Sequence, residues 1–211
     1  MLLMMIPSAT VAIFLLTSAA LAAVPGPDNI FVLTQSALHG RKAGIVITMG
    51  LCTGLLVHTL LVALGVAAIL QASPLAFSAL KAIGAVYLLY LALLAIRTIP
   101  IEPGNDEIAA VSHSDLYSRG IIMNLTNPKV VVFFLAFLPQ FTNSEYGLAI
   151  TLQIIVLGGL FIIMAFFVFT AIACGASLIG KWLTTNIMAQ RAINYMAALI
   201  YCGLALNIVL T

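Results

Sequence analysis

Pro25-Gly26-Pro27-Asp28-Asn29 and, about 100 residues later, Asn124-Leu125-Thr126-Asn127-Pro128-Lys129 decide how this 211-residue chain is read. Each stretch sets helix breakers beside an ionisable group inside otherwise apolar sequence. A water-soluble core has little use for that combination. In the two halves of a membrane protein, however, interrupted hydrophobic segments at corresponding positions point to a transporter's binding site.

The composition around them agrees. Hydrophobic residues make up 64% of the chain and charged residues 7%, and the mean hydropathy is +1.22. A soluble domain carries roughly 25% charged residues, so this is an all-α integral membrane protein. Eight basic and six acidic side chains give a net charge of +2. They form no basic stripe of the kind nucleic-acid binding requires. Cys52, Cys174 and Cys202 lie in apolar sequence without a Cys-x-x-Cys spacing. They are read as small packing residues rather than as a disulfide framework or a zinc site.

Charges and turn residues cut the chain into six apolar blocks: Ile6 to Leu38, Ala43 to Leu70, Leu75 to Ile96, Gly120 to Phe141, Gly147 to Ile179 and Ala192 to Leu210. About 20 residues cross a hydrocarbon core, so about six transmembrane helices are expected in one transporter domain covering 1–211. The breaks between them are short: His39 to Lys42, Gln71 to Pro74, Thr142 to Glu145, and Lys181 to Arg191. One long connection, 98–118, divides a first half, 1–97, from a second, 119–211. Its Pro100, Glu102, Pro103, Gly104, Asn105, Asp106, Glu107 and Asp115 have the composition of a solvated linker. The carboxylates there with His113 are read as a polar loop and not as metal ligands.

Arg41, Lys42, Arg97, Arg119, Lys181 and Arg191 flank the first, third and fifth connections. The positive-inside rule therefore predicts both termini outside the cytoplasm. Ala19-Ala20-Leu21-Ala22-Ala23 resembles a signal-peptide cleavage site, but no positively charged segment precedes it. The segment is read as part of a mature helix.

Ile6 to Leu38 as one straight helix would be about 50 Å long at 1.5 Å per residue. Pro25 and Pro27 each lack a backbone donor and clash with the preceding turn, so the first spanning helix should be broken. Counting back from Arg41 and Lys42 puts the break toward the middle of the membrane. Asn127-Pro128 should break the fourth in the same way. A lysine at mid-membrane costs about 2.5 to 3.5 kcal/mol on insertion scales, so Lys129 should face the interior and find a partner. Asp28 is the only carboxylate within an apolar block. A plain proline kink, mutual neutralisation of the two charges, and a lysine that snorkels to the interface are the alternatives.

These residues carry a resemblance. Pro25 to Asn29 with His39-Gly40-Arg41-Lys42-Ala43-Gly44, Arg119 to Lys129 with Phe133 to Phe141, and Ala72 to Leu91 together resemble the LysE/RhtB family of amino-acid exporters over almost the whole chain. The resemblance implies two inverted three-helix repeats and export of amino acids or their derivatives across the cytoplasmic (inner) membrane in exchange for protons, without enzymatic activity. It implies a substrate or ion-coupling site at Pro25, Gly26, Pro27, Asp28, Asn29, Asn124, Asn127, Pro128 and Lys129. Lys129 would bind the substrate carboxylate, and Asp28 the ammonium group or the coupled proton. His58, in the second block, is a second candidate proton carrier, or else a packed, hydrogen-bonded residue. No organic or metal cofactor is called for.

Three other classes fit less well. A membrane thiol–disulfide reductant needs cysteines at the breaks, and a metal-ion exporter needs several converging ligands where only Asp28 and His58 stand. A membrane hydrolase needs a nucleophile, histidine and carboxylate at a recognisable spacing. No nucleotide-binding loop is present, so an ion gradient is the expected energy source. Gly50, Gly54, Gly65, Gly158, Gly159, Gly175 and Gly203 are read as close-packing positions. The Gly50–Gly54 spacing leaves a homodimer possible without requiring one. Phe133, Phe134, Phe166, Phe167 and Phe169 either shape a pocket or face lipid and packing neighbours.

Overall fold

The computed structural model describes residues 6–72, 74–98 and 112–210. Among them there are helices and short connections but no strands. The α-helices are α1 (Ser8–Ala23), α2 (Pro27–His39), α3 (Arg41–Ala72), α4 (Pro74–Arg97), α5 (His113–Thr126), α6 (Pro128–Val132), α7 (Ile150–Thr185) and α8 (Ile187–Leu210). Four of them, α3, α4, α7 and α8, contain stretches long and apolar enough to cross a membrane. The other two spans are broken. α1 and α2 meet at 60°, and α5 meets the segment that begins with α6 at 50°. Most of the connection 98–118 lies outside the described residues, as does Ser73.

Prolines and glycines set these boundaries. Pro27 and Pro128 open α2 and α6 at the first helical position, where the missing N–H costs nothing. Gly40, at φ 82°, turns the chain between α2 and α3 in a conformation that favours glycine. A buried Gln153 on α7 donates from Nε2 to the carbonyls of Asn143 (2.7 Å) and Leu148 (2.6 Å) and pins the fourth connection.

One boundary differs from expectation. Lys181 to Arg191 is not an open connection: α7 runs to Thr185, α8 starts at Ile187, and Asn186 alone joins them. The Asn186 side chain accepts from the Ala189 N–H at 3.0 Å. It thereby satisfies one of the free donors at the start of α8. Charges at a helix end mark the membrane surface and do not require that the helix stop there.

α3 packs against α5 and α7, α4 against α8, and α7 against both α1 and α2. Exchanging the first three spans for the last three converts the α3–α5 contact into the α7–α1/α2 contact. It leaves the α3–α7 and α4–α8 contacts in place. α3 and α5 approach closely where Gly50 faces Gly120: a Cβ on Gly120 would lie 2.6 Å from the Ile47 carbonyl oxygen and 3.2 Å from the Gly50 Cα. Gly54 lies against Asn124, and Gly158 against Thr59. The Gly50–Gly54 stripe is thus filled from within the chain. Among the described residues nothing would lie within 4 Å of a Cβ at Gly65, Gly159 or Gly203, and these are not close-packing positions.

Beyond α6 the helix widens into a π turn, Phe133–Phe137, and then tightens into a 3₁₀ turn, Leu138–Phe141. Pro139 supplies the reason, because it cannot donate to the carbonyl four residues back and its ring crowds that carbonyl. Phe133 and Phe137 stack with centroids 5.1 Å apart, and Phe133 meets Phe161 of α7 at 4.7 Å. Phe133, Phe134 and Phe169 are buried and Phe167 is exposed. Leu16, Leu64 and Leu199 are likewise exposed, as expected where the surroundings are lipid. Cys174 and Cys202 are exposed too, and only Cys52 is partly buried. The reading of Cys174 and Cys202 as small packing residues is corrected: an apolar solvent lets small apolar side chains face outward.

Candidate functional site: two broken helices joined by a buried ion pair

A broken helix leaves carbonyls without their partners four residues on. At the first break the Ala22 carbonyl accepts from Asn29 Nδ2 at 2.7 Å. The Val24 carbonyl accepts from Lys129 Nζ at 3.1 Å. At the second, Pro128 has no N–H to give the Asn124 carbonyl. The Asn127 N–H takes its place at 3.1 Å, and His58 Nε2 lies 3.3 Å from the same oxygen. A carbonyl only accepts, so His58 carries its proton on Nε2. Its ring also packs 5.6 Å from that of Phe134. His58 therefore contacts the second break from α3.

Lys129 joins the two breaks. Its ammonium donates to the Val24 carbonyl, to Asp28 Oδ1 at 3.1 Å and to Asn29 Oδ1 at 3.2 Å. Three acceptors match its three protons. Asp28 Oδ1 also receives the Asn29 N–H at 3.0 Å. Asp28 sits in the first turn of α2, where the helix dipole favours an anion, while Lys129 reaches the carbonyl end of α1, where it favours a cation. Asp28 is 1% and Lys129 3% exposed. Burial that deep requires a paired charge, and among the described residues this is the one salt bridge. Asn127 uses Oδ1 to accept the Lys129 N–H at 3.1 Å. Its Nδ2, and Asn124 Oδ1, are buried without a hydrogen-bond partner.

Pro25 and Gly26 shape the gap, and Gly26 also leaves space for the pair. A Cβ there would lie 2.8 Å from Asp28 Oδ1 and 3.1 Å from Lys129 Nζ. Gly26→Ala is expected to pry the pair apart and lower transport about tenfold or more while the protein still inserts. Flux normalised to purified protein checks this.

Two spaces adjoin the breaks. A cavity of about 330 Å³ on one side is bounded by Val24, Pro25 and Asn29 and by aliphatic residues of α7 and α8 such as Ile172, Ala197 and Ile200. A cleft of about 470 Å³ on the other is bounded by Pro27, Phe31, Arg119, Thr126, Asn127 and Pro128. None of the five phenylalanines singled out in the sequence lines either space. Among the described residues no three His, Cys, Asp or Glu side chains come together as metal ligands would.

The family profile described as LysE type translocator matches residues 19–211. The chain belongs to the LysE family of translocators. This LysE-type translocator is 35% identical over 170 residues to the homoserine/homoserine lactone efflux protein of Salmonella typhimurium strain LT2, covering 81% of this chain and 82% of the relative. It is 30% identical over 191 residues to the leucine efflux protein of Enterobacter sp. strain 638, covering 86% of each. No solved structure matches it. The profile begins within Ala19–Ala23, which here forms the last turn of α1, with Leu21 and Ala22 buried.

Proposed function

We propose that this translocator is a secondary active exporter of neutral amino acids. It works by proton antiport across the cytoplasmic membrane, with both termini outside and the two three-span halves related as inverted repeats. The observation that carries the reading is the Asp28–Lys129 pair, which ties two broken spans together at the ends of their half-helices. A zwitterionic amino acid is the ligand such a pair suits. Its carboxylate takes Lys129 and its ammonium group takes Asp28, so neither buried charge is left without a partner while the pair is open. Between turnovers a proton from outside neutralises Asp28 and releases Lys129 from it, which links inward proton movement to export.

The wall of the cavity beside the first break supports a neutral substrate. Asn29 is the one polar side chain on it, and the rest are aliphatic side chains, alanine, glycine, methionine and Pro25. The names of the relatives, homoserine/homoserine lactone efflux and leucine efflux, point the same way. The test is efflux of radiolabelled leucine, homoserine, lysine and glutamate from proteoliposomes with and without an acidic exterior. Leucine or homoserine should leave faster with the gradient, and lysine and glutamate should stay. If no amino acid moves, the exporter reading fails; if flux ignores the gradient, antiport fails.

A further inference from the structure

We propose that the cleft between α2 and α5 is a loading site for the substrate's carboxylate, with Arg119 as the capturing cation at its mouth and the Asn127 amide as the donor at its floor. This deepens the exporter reading and rests on it. The first observation is that Lys129 is fully engaged: each of its three ammonium protons already has an acceptor from the first break. An arriving carboxylate finds no free donor there and must be held elsewhere until the pair opens.

The cleft supplies that place. Arg119, Ile122, Met123 and Thr126 follow one another at helical spacing on a single face of α5, opposite Pro27 and Phe31 of α2. Arg119 is exposed, and no described residue forms an ion pair with it. Its planar fork of N–H groups matches a carboxylate in a way an ammonium group does not. Eight residues further along the helix, about 12 Å at 1.5 Å per residue, lies Asn127. It is 3% exposed. Because Oδ1 is held by the Lys129 N–H, the end of the amide without a partner is Nδ2, a donor. A buried donor without an acceptor is costly to keep, and a carboxylate in the cleft satisfies it. The two positions form a relay: Arg119 draws the anion in and Asn127 receives it next to Lys129, with Phe31, Ile122 and Met123 lining the cleft between them.

The test replaces Cys52, Cys174 and Cys202 with alanine and places a single reporter cysteine at Thr126, or at Ile122 if Thr126→Cys fails to fold. Modification by a charged thiol reagent is followed in inside-out vesicles with leucine or leucinamide present, and leucine flux is measured on the same preparations. Leucine should slow modification about fivefold or more and leucinamide should not. Arg119→Gln should abolish the protection and raise the half-saturating leucine concentration about tenfold, with Arg119→Lys in between. Equal protection by leucine and leucinamide, or protection unchanged in Arg119→Gln, overturns the loading site. Flux without protection overturns the loading site alone. Protection without flux upholds the carboxylate site and overturns the exporter reading. Absence of both overturns the two together.

Discussion

Lys129→Met should destabilise the protein by about 3–5 kcal/mol, the usual cost of stripping one partner from a buried ion pair, and Asp28→Asn should do comparable damage. Each substitution leaves a full charge among side chains that exclude water, since Asp28 and Lys129 are 1% and 3% exposed. The lysine variant also frees the Val24 carbonyl and Asn29 Oδ1, which have no other cap. The double variant Asp28→Asn/Lys129→Met removes both charges. It should recover most of the loss, because two well-packed neutral groups replace a buried pair at little net cost. Thermal unfolding of the four proteins in one detergent measures this. Single variants as stable as the parent would mean that the charges reach water and that the pair does not hold the breaks together.

The second large effect is expected at Gly50. A Cβ there would fall on the Tyr117 carbonyl oxygen and lie 3.1 Å from the Gly120 Cα. These are backbone atoms of α5, so no side chain can turn aside and the two helices must part. Gly50→Ala should cost about 1–3 kcal/mol as an overpacking change, and Gly50→Leu more. Gly120→Ala acts on the same contact from the other side. Gly50→Ala/Gly120→Ala should therefore cost less than the sum of its parts. Transport should fall further than stability does, because α5 carries Asn124 and leads into Asn127 at the second break. Unfolding midpoints and leucine flux for the two single variants and the double variant decide the point. Additive losses would show that the glycines do not share one contact.

Both breaks are visible in the sequence because proline and glycine act locally: Pro25, Pro27 and Pro128 dictate where hydrogen bonds fail whatever surrounds them. That Lys129 reaches Asp28 is also anticipated, since two opposite charges in apolar segments have few other partners. What the sequence conceals depends on packing. The π turn at Phe133–Phe137 has a local signal, Pro139, but its shape depends on aromatic neighbours in α1 and α7. Seven glycines look alike in the sequence, yet Gly50, Gly54 and Gly158 face another helix and Gly65, Gly159 and Gly203 do not. For His58 the sequence leaves two readings open, and the Asn124 carbonyl beside its ring is visible only in the fold. Arg119, read as a topology marker and as the start of the block running to Lys129, lines the cleft between the breaks.

The central claim is that the Asp28–Lys129 pair is the transport site and not simply a clamp. Gradient-driven leucine and homoserine efflux by Asp28→Asn/Lys129→Met in proteoliposomes tests it most directly, because that variant is expected to remain folded. The account predicts a protein of near-parental stability that moves neither amino acid; efflux at the parental rate would contradict it.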